Sequence, residues 1–239
     1  MEIFYSVVTF FTAGGVFMLP ILAVGAVGVA IALERYITIT RMRVKNRALW
    51  AQVEPAIMAG EFEKAREITG KSETALSRLL GTGLEMQGAV RRRDDVKEAM
   101  QESMMEILPQ LEKRTHYLAT FANLATLLGL LGTVSGLIHA FSAVSTANPA
   151  EKANLLAGSI SEAMNCTAFG LMVAVPLLFI HAFLQSKTQQ LIGSLETGAV
   201  KFLTIVADRQ SAKAQTRLEA AQAAHTAAMS GDPLPAHAA

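Results

Sequence analysis

The chain has 239 residues, 51% of them hydrophobic and 17% charged, with a formal net charge of +1 and a mean hydropathy of +0.35. That balance is too apolar for an ordinary soluble domain and too charged for a chain buried in lipid throughout, so the charges must be segregated along it. A net charge near zero gives no electrostatic argument for a nucleic-acid partner. The single cysteine, Cys166, excludes an internal disulfide and, with no His/Cys cluster beside it, reads as a packing residue and not as part of a metal site.

Residues 1–13 alternate bulky apolar with small polar side chains, which suits a short helix lying at the outer face of a membrane. They lack the basic start of a secretion signal, so no cleaved leader is expected. Three windows, 16–33, 118–144 and 155–183, are apolar over the length of about 20 residues that a helix needs to cross a bilayer. The first closes on "LERYITITRMR", where Tyr36 and a basic run mark an inner interface. Of the 21 Lys and Arg, 15 lie between Arg35 and Arg114, five follow the third window, and Lys152 stands alone between the second and third. The positive-inside rule then puts the N-terminus and the Lys152 loop outside and the middle segment and C-terminus inside.

Within the inner segment, "EPAIMAGEFEKAREITGKSETALSRLLGTGLEM" reads as a pair of amphipathic helices turning near Gly60 and again around 70–72. From Asp94 the spacing puts Met100, Met104, Ile107 or Leu108, and Leu111 on one face of a helix that runs into the second window, with Pro109 as the expected kink. The third window continues its apolar stripe through Leu184, Leu191, Leu195 and Phe202, so these helices are expected to extend beyond the membrane. The Ala- and Gln-rich stretch after Arg209 is expected to be a frayed helix followed by disorder.

Between the second and third windows, "STANPAEKAN" offers Asn148 as an N-cap, Pro149 at the first helical position and Glu151 three after the cap. A tight turn there places Thr133 level with Glu162, about 20 Å from the turn and within a hydrocarbon layer about 30 Å thick. Thr126, Gly129, Thr133, Gly136 and Ala140 form a small, partly polar stripe on one helix; Ala163, Thr167, Gly170 and Ala174 form one on the other. The bland account of both stripes is close helix packing. Glu162 resists that account, because a charged carboxylate at mid-membrane costs about 3 kcal/mol on insertion scales, and it reads instead as a proton-exchanging group. Thr167 lies about 140° around the helix from Glu162, whereas Asn165 and Cys166 share its face better. His139 and His181 could also relay protons, but each lies beside small or aromatic residues, where helix packing is the preferred reading.

"LLGLLGTVSGLIHAF", followed after a short loop by "SISEAMNCTAFGL", resembles the MotA/TolQ/ExbB proton-channel family, and the likeness extends over about 10–205. Three spans with a Glu in the last favour its ExbB/TolQ branch, while "NCTAFG" departs at Asn165 and Cys166 from the aliphatic residues usual there. The resemblance implies a homopentamer surrounding the single spans of a small ExbD- or TolR-like subunit, a TonB- or TolA-like energy transducer as further partner, and membrane lipid around it. It also implies that Glu162, Thr133 and Thr167 line a proton path, to which Thr126, Asn165 and His139 are secondary candidates.

The expected molecule is an all-α integral membrane protein of the bacterial inner membrane with three transmembrane helices and long cytoplasmic helical extensions. Its organisation reads as a periplasmic interfacial helix over 1–13, transmembrane helices over 14–37, 116–145 and 153–184, a cytoplasmic helical domain over 38–115, a periplasmic loop over 146–152, a cytoplasmic extension over 185–209 and a tail over 210–239. No nucleophile and base pair, phosphate loop or metal spacing points to an enzyme or a cofactor. Two other readings compete: a MotA-like stator for flagellar or gliding motility, with 91–95 meeting the rotor, and a non-conducting scaffold in which Glu162 only locks helices together.

Overall fold

The computed structural model describes residues 14–89 and 93–230; the interfacial helix expected at 1–13 and part of the rotor-contact stretch at 91–95 lie outside them. The described residues form helices α1 (Met18–Ala59), α2 (Phe62–Gly70), α3 (Ala75–Ala89), α4 (Arg93–Glu112), α5 (Thr115–Thr146) and α6 (Lys152–Ser230), with no strand among them. Three helical stretches, beginning at Met18, Asp94 and Lys152, are long and apolar enough to cross a membrane. The protein is an all-α membrane protein. Two compact units divide it: Met1–Arg41 with Pro109–Leu191, and Met42–Leu108 with Ile192–Ala239.

The first unit is built on the apolar helices. Ile21, Ala32 and Ile39 of α1, Leu118, Ala122 and Ala125 of α5, and Cys166, Phe169, Leu177 and Leu184 of α6 make one buried cluster. Small residues bring the backbones together: a methyl group added at Gly28 would stand 2.8 Å from Leu177, and one at Gly25 3.0 Å from Val173. The outward faces keep large apolar side chains, Leu19, Leu33, Ile138, Phe141, Met172 and Phe179 among them, as expected of helices whose solvent is lipid. At the other end Tyr36 stacks on Phe183, ring centroids 6.5 Å apart, and Lys187 lies 5.3 Å from the Phe183 ring. Aromatic rings with a cation are the side chains that favour an interfacial belt.

Pro109 is inside α4 and does not end it. The helix breaks instead at Lys113–Arg114, where Arg114 takes φ +66°, the left-handed region that non-glycine residues enter at a cost of about 1–3 kcal/mol. The reason lies in partners distant in sequence. Arg35, only 5% exposed, donates to the Leu111 carbonyl and, at 3.2 Å, to Thr115 Oγ1, while Arg114 pairs with Glu34. His181 Nδ1 donates to the Thr115 carbonyl at 3.0 Å. The Leu111 carbonyl, orphaned by the break, is thereby satisfied.

In the second unit Leu49, Val53 and Ile57 of α1, Leu76, Leu79, Leu80 and Leu84 of α3, Val96, Met100 and Ile107 of α4, and Leu195, Phe202 and Val206 of α6 are buried. Met104 is half-buried, on the face the sequence assigns it. The turns at Gly60 and 71–74 fall where glycine and serine place them. Glu61 N–H donates to Ala56 O at 2.9 Å and Gly60 N–H to Ile57 O at 3.0 Å, the paired bonds of a Schellman motif that needs φ above zero at Gly60, here +80°. The Arg209 guanidinium occupies the space a Gly60 side chain would need and donates to Met58 O. Gly60→Ala is therefore expected to destabilise by more than the about 1–3 kcal/mol of left-handed strain alone. Thermal melting of Gly60→Ala alone and with Arg209→Ala checks this: the double variant should recover the part due to collision.

The segment after 209, expected as a frayed helix followed by disorder, is helical to Ser230. Its Ala, Gln, Glu and Arg are strong helix formers that can extend α6 with most of its described side chains exposed. Residues 231–239 lie outside the described part.

Candidate functional site

The α5–α6 hairpin carries every residue singled out from the sequence. Its turn spans 147–151; the Asn148 carbonyl accepts from Glu151 N–H at 3.0 Å and Lys152 N–H at 3.2 Å, and α6 begins at Lys152, not at Pro149. This three-residue difference changes the pairing. Gly132 stands against Cys166 and Gly136 against Ala163, so Glu162 is level with Gly136 and about one turn away from Thr133. Glu162 lies about 15 Å along α6 from its start.

The seam between the two helices is backbone to backbone. A methyl group at Gly129 would come within 3.2 Å of Thr167 Cα, and one at Gly170 within 2.7 Å of Ala125 O and 3.0 Å of Gly129 Cα. Thr167 Oγ1 donates across the seam to Gly129 O at 2.8 Å. Ala125, Gly129, Gly132 and Ala140 are buried, so the contact stripe of α5 is rotated from the one expected. Thr126 is exposed and bonded to Ala122 O at 3.2 Å in its own helix. Thr133, half-buried, bonds to Leu130 O at 2.7 Å. One heptad apart, these two threonines share a face beside the seam.

Glu162 borders a cavity of about 200 Å³ lined also by Gly14, Gly15, Val16 and Phe17 leading into α1, by Gly132, Ser135, Gly136 and His139 of α5, and by Ser159, Ala163 and Cys166 of α6. The structure thus brings Glu162, His139 and Cys166 to one cavity. Thr133, Thr167, Thr126 and Asn165 are not part of its lining. Cys166 is buried against Gly132, a packing position. Ser135 and Ser159 were missed by the sequence reading, although Ser135 precedes His139 by four and Ser159 precedes Glu162 by three, the spacing of one helical face. What this arrangement offers chemically is a carboxyl, an imidazole and two hydroxyls around one small cavity, groups that can accept and donate protons.

A family model matches residues 71–197, and its description is "MotA/TolQ/ExbB proton channel family". The chain belongs to this family. All six candidate residues of the proton path lie in the matched stretch, whereas α1 and the Gly14–Gly15 turn precede it. Among relatives, an ExbB-like biopolymer transport protein of Synechocystis is 30% identical over 183 residues, covering 75% of this chain and 71% of its own. The biopolymer transport protein ExbB of Neisseria gonorrhoeae is 28% identical over 198 residues, covering 77% of this chain and 87% of its own. The Tol-Pal system protein TolQ of Pseudomonas aeruginosa is 29% identical over 156 residues, covering 64% and 60%. The MotA/TolQ/ExbB chain therefore sits on the ExbB/TolQ side of its family, among channel and transport proteins.

Proposed function

We propose that the chain is a proton-channel subunit of the bacterial inner membrane that couples the proton motive force to energised transport or envelope maintenance through a periplasmic partner. The observation that carries this reading is Glu162, an exposed carboxylate on an apolar helix, at a small cavity with His139, Ser135 and Ser159. A carboxylate kept at such a place is a functional group by default, because packing alone is served by uncharged residues.

Glu162 is the principal proton-exchanging residue, with His139 next to it on the route. Thr133 and Thr126 lie off the α5/α6 seam and offer hydroxyls to a further helix, such as the single span of an ExbD- or TolR-like subunit. Thr167 has a double role, because its hydroxyl already bonds Gly129 O. Asn165, half-buried, completes the secondary set. The working assembly is a homo-oligomer, a pentamer by resemblance, with the Lys152 loop periplasmic, the second compact unit cytoplasmic, and a TonB- or TolA-like transducer receiving the output.

The experiment is pH-gradient decay in liposomes holding the chain and its co-purified small subunit. Thr133→Val keeps shape and removes the hydroxyl, so flux should fall while the melting temperature holds. Thr167→Val should lower both, the stability loss being about 1 kcal/mol for the seam bond. Normal flux in both assembled variants would leave the threonines as packing residues.

A further inference from the structure

The chain enters α1 through Gly14 and Gly15, and Gly15 has φ +73°. Its carbonyl accepts from Met18 N–H at 3.3 Å, starting the helix. A methyl group built on Gly15 would fall on Glu162 Oε1 and lie 3.2 Å from Cδ and 3.4 Å from Cγ of the same side chain. Three successive atoms of Glu162 therefore run along the face that a side chain at position 15 would fill. No other glycine among those described meets a carboxylate in this way. Both residues border the cavity that holds His139.

We propose that Gly15 is a positioning residue for Glu162: the bare backbone at the head of α1 is the seat of the carboxylate and holds it at the cavity. Any β-carbon there faces two obstacles, the left-handed backbone and the carboxylate itself. Glu162 is otherwise exposed on α6 and has space to swing outward, so it is the carboxylate that yields. Gly158 is a built-in control on α6, since a methyl group there meets nothing within 4 Å. The functional weight of the seat rests on Glu162 being a proton-exchanging group; the contact does not.

The test uses the full chain in vesicles of phosphatidylethanolamine and phosphatidylglycerol, with the rate of Glu162 modification by dicyclohexylcarbodiimide read by peptide mass spectrometry. Gly15→Ala and Gly15→Asn should raise that rate about tenfold, asparagine being the side chain that tolerates φ above zero while still carrying the β-carbon. Gly158→Ala should leave it unchanged. Shortening the acid by one methylene in Glu162→Asp should remove the effect, so that Gly15→Ala with Glu162→Asp labels like Glu162→Asp alone. An assembled Gly15→Ala that labels at the wild-type rate, or an effect undiminished in the Glu162→Asp background, would overturn the proposal. If Gly15→Ala fails to assemble, Glu162→Asp should restore assembly, and failure to do so overturns it equally. A chain that labels as expected yet conducts normally as Glu162→Gln would remove the proton path and leave the seat standing.

Discussion

Gly170→Leu is expected to prevent the chain from reaching its folded, monodisperse form. The obstruction is backbone: the first added carbon already stands 2.7 Å from Ala125 O and 3.0 Å from Gly129 Cα, neither of which can turn aside as a side chain can. The helices must separate, and separation also breaks the Thr167 to Gly129 bond. Gly170→Ala alone should destabilise by about 1–3 kcal/mol through overpacking. Leucine adds three more carbons to the same gap, enough to approach the total stability of about 5–15 kcal/mol typical of a folded domain. Size-exclusion profiles and melting temperatures in detergent decide the point. Gly158→Ala and Gly193→Ala, where nothing lies within 4 Å of the added carbon, should behave as wild type. A Gly170→Leu protein with a wild-type profile would show that the seam is looser than described.

The spans and turns were legible because their signals are local. Apolar runs of bilayer length identify α1, α5 and α6, and glycine at the end of an apolar pattern marks the stop at Gly60. The stripe through Leu184, Leu191, Leu195 and Phe202 is buried along α6 because its spacing keeps one face. The break at Arg114 was not legible. Arginine carries no preference for the left-handed region, and the partners that hold it there, Glu34 and Arg35, are distant in sequence. Proline was the visible breaker nearby, but Pro109 needs only one missing N–H and is accommodated within α4.

At the candidate site, Glu162 and His139 were legible, whereas Ser135, Ser159 and the phase of the two helices were not. Cost alone singles out Glu162, since no packing argument favours a carboxylate in that apolar run. The pairing with Thr133 went astray because Pro149 was taken as the first helical residue, whereas the turn runs on to Glu151. Three residues amount to nearly a full turn, which moves Glu162 from Thr133 to Gly136. The contact between Gly15 and Glu162 left no trace in either local pattern: two glycines before an apolar helix read as an ordinary start, and only the packing of α1 onto α6 brings them together.

Glu162→Gln separates the proton path from a packing role most directly. Glutamine keeps the size and hydrogen bonding of the side chain and lowers the penalty for burial, so a space-filling residue should tolerate it or gain stability. A residue that must exchange a proton cannot, because the amide neither ionises nor carries the charge a passing proton meets. The measurement is pH-gradient decay in liposomes containing the chain with its small subunit, wild type against Glu162→Gln, with assembly checked by size and melting temperature. The account predicts an assembled variant, as stable as wild type or more so, whose proton flux falls to the level of empty vesicles. An assembled Glu162→Gln protein that conducts at the wild-type rate would contradict it.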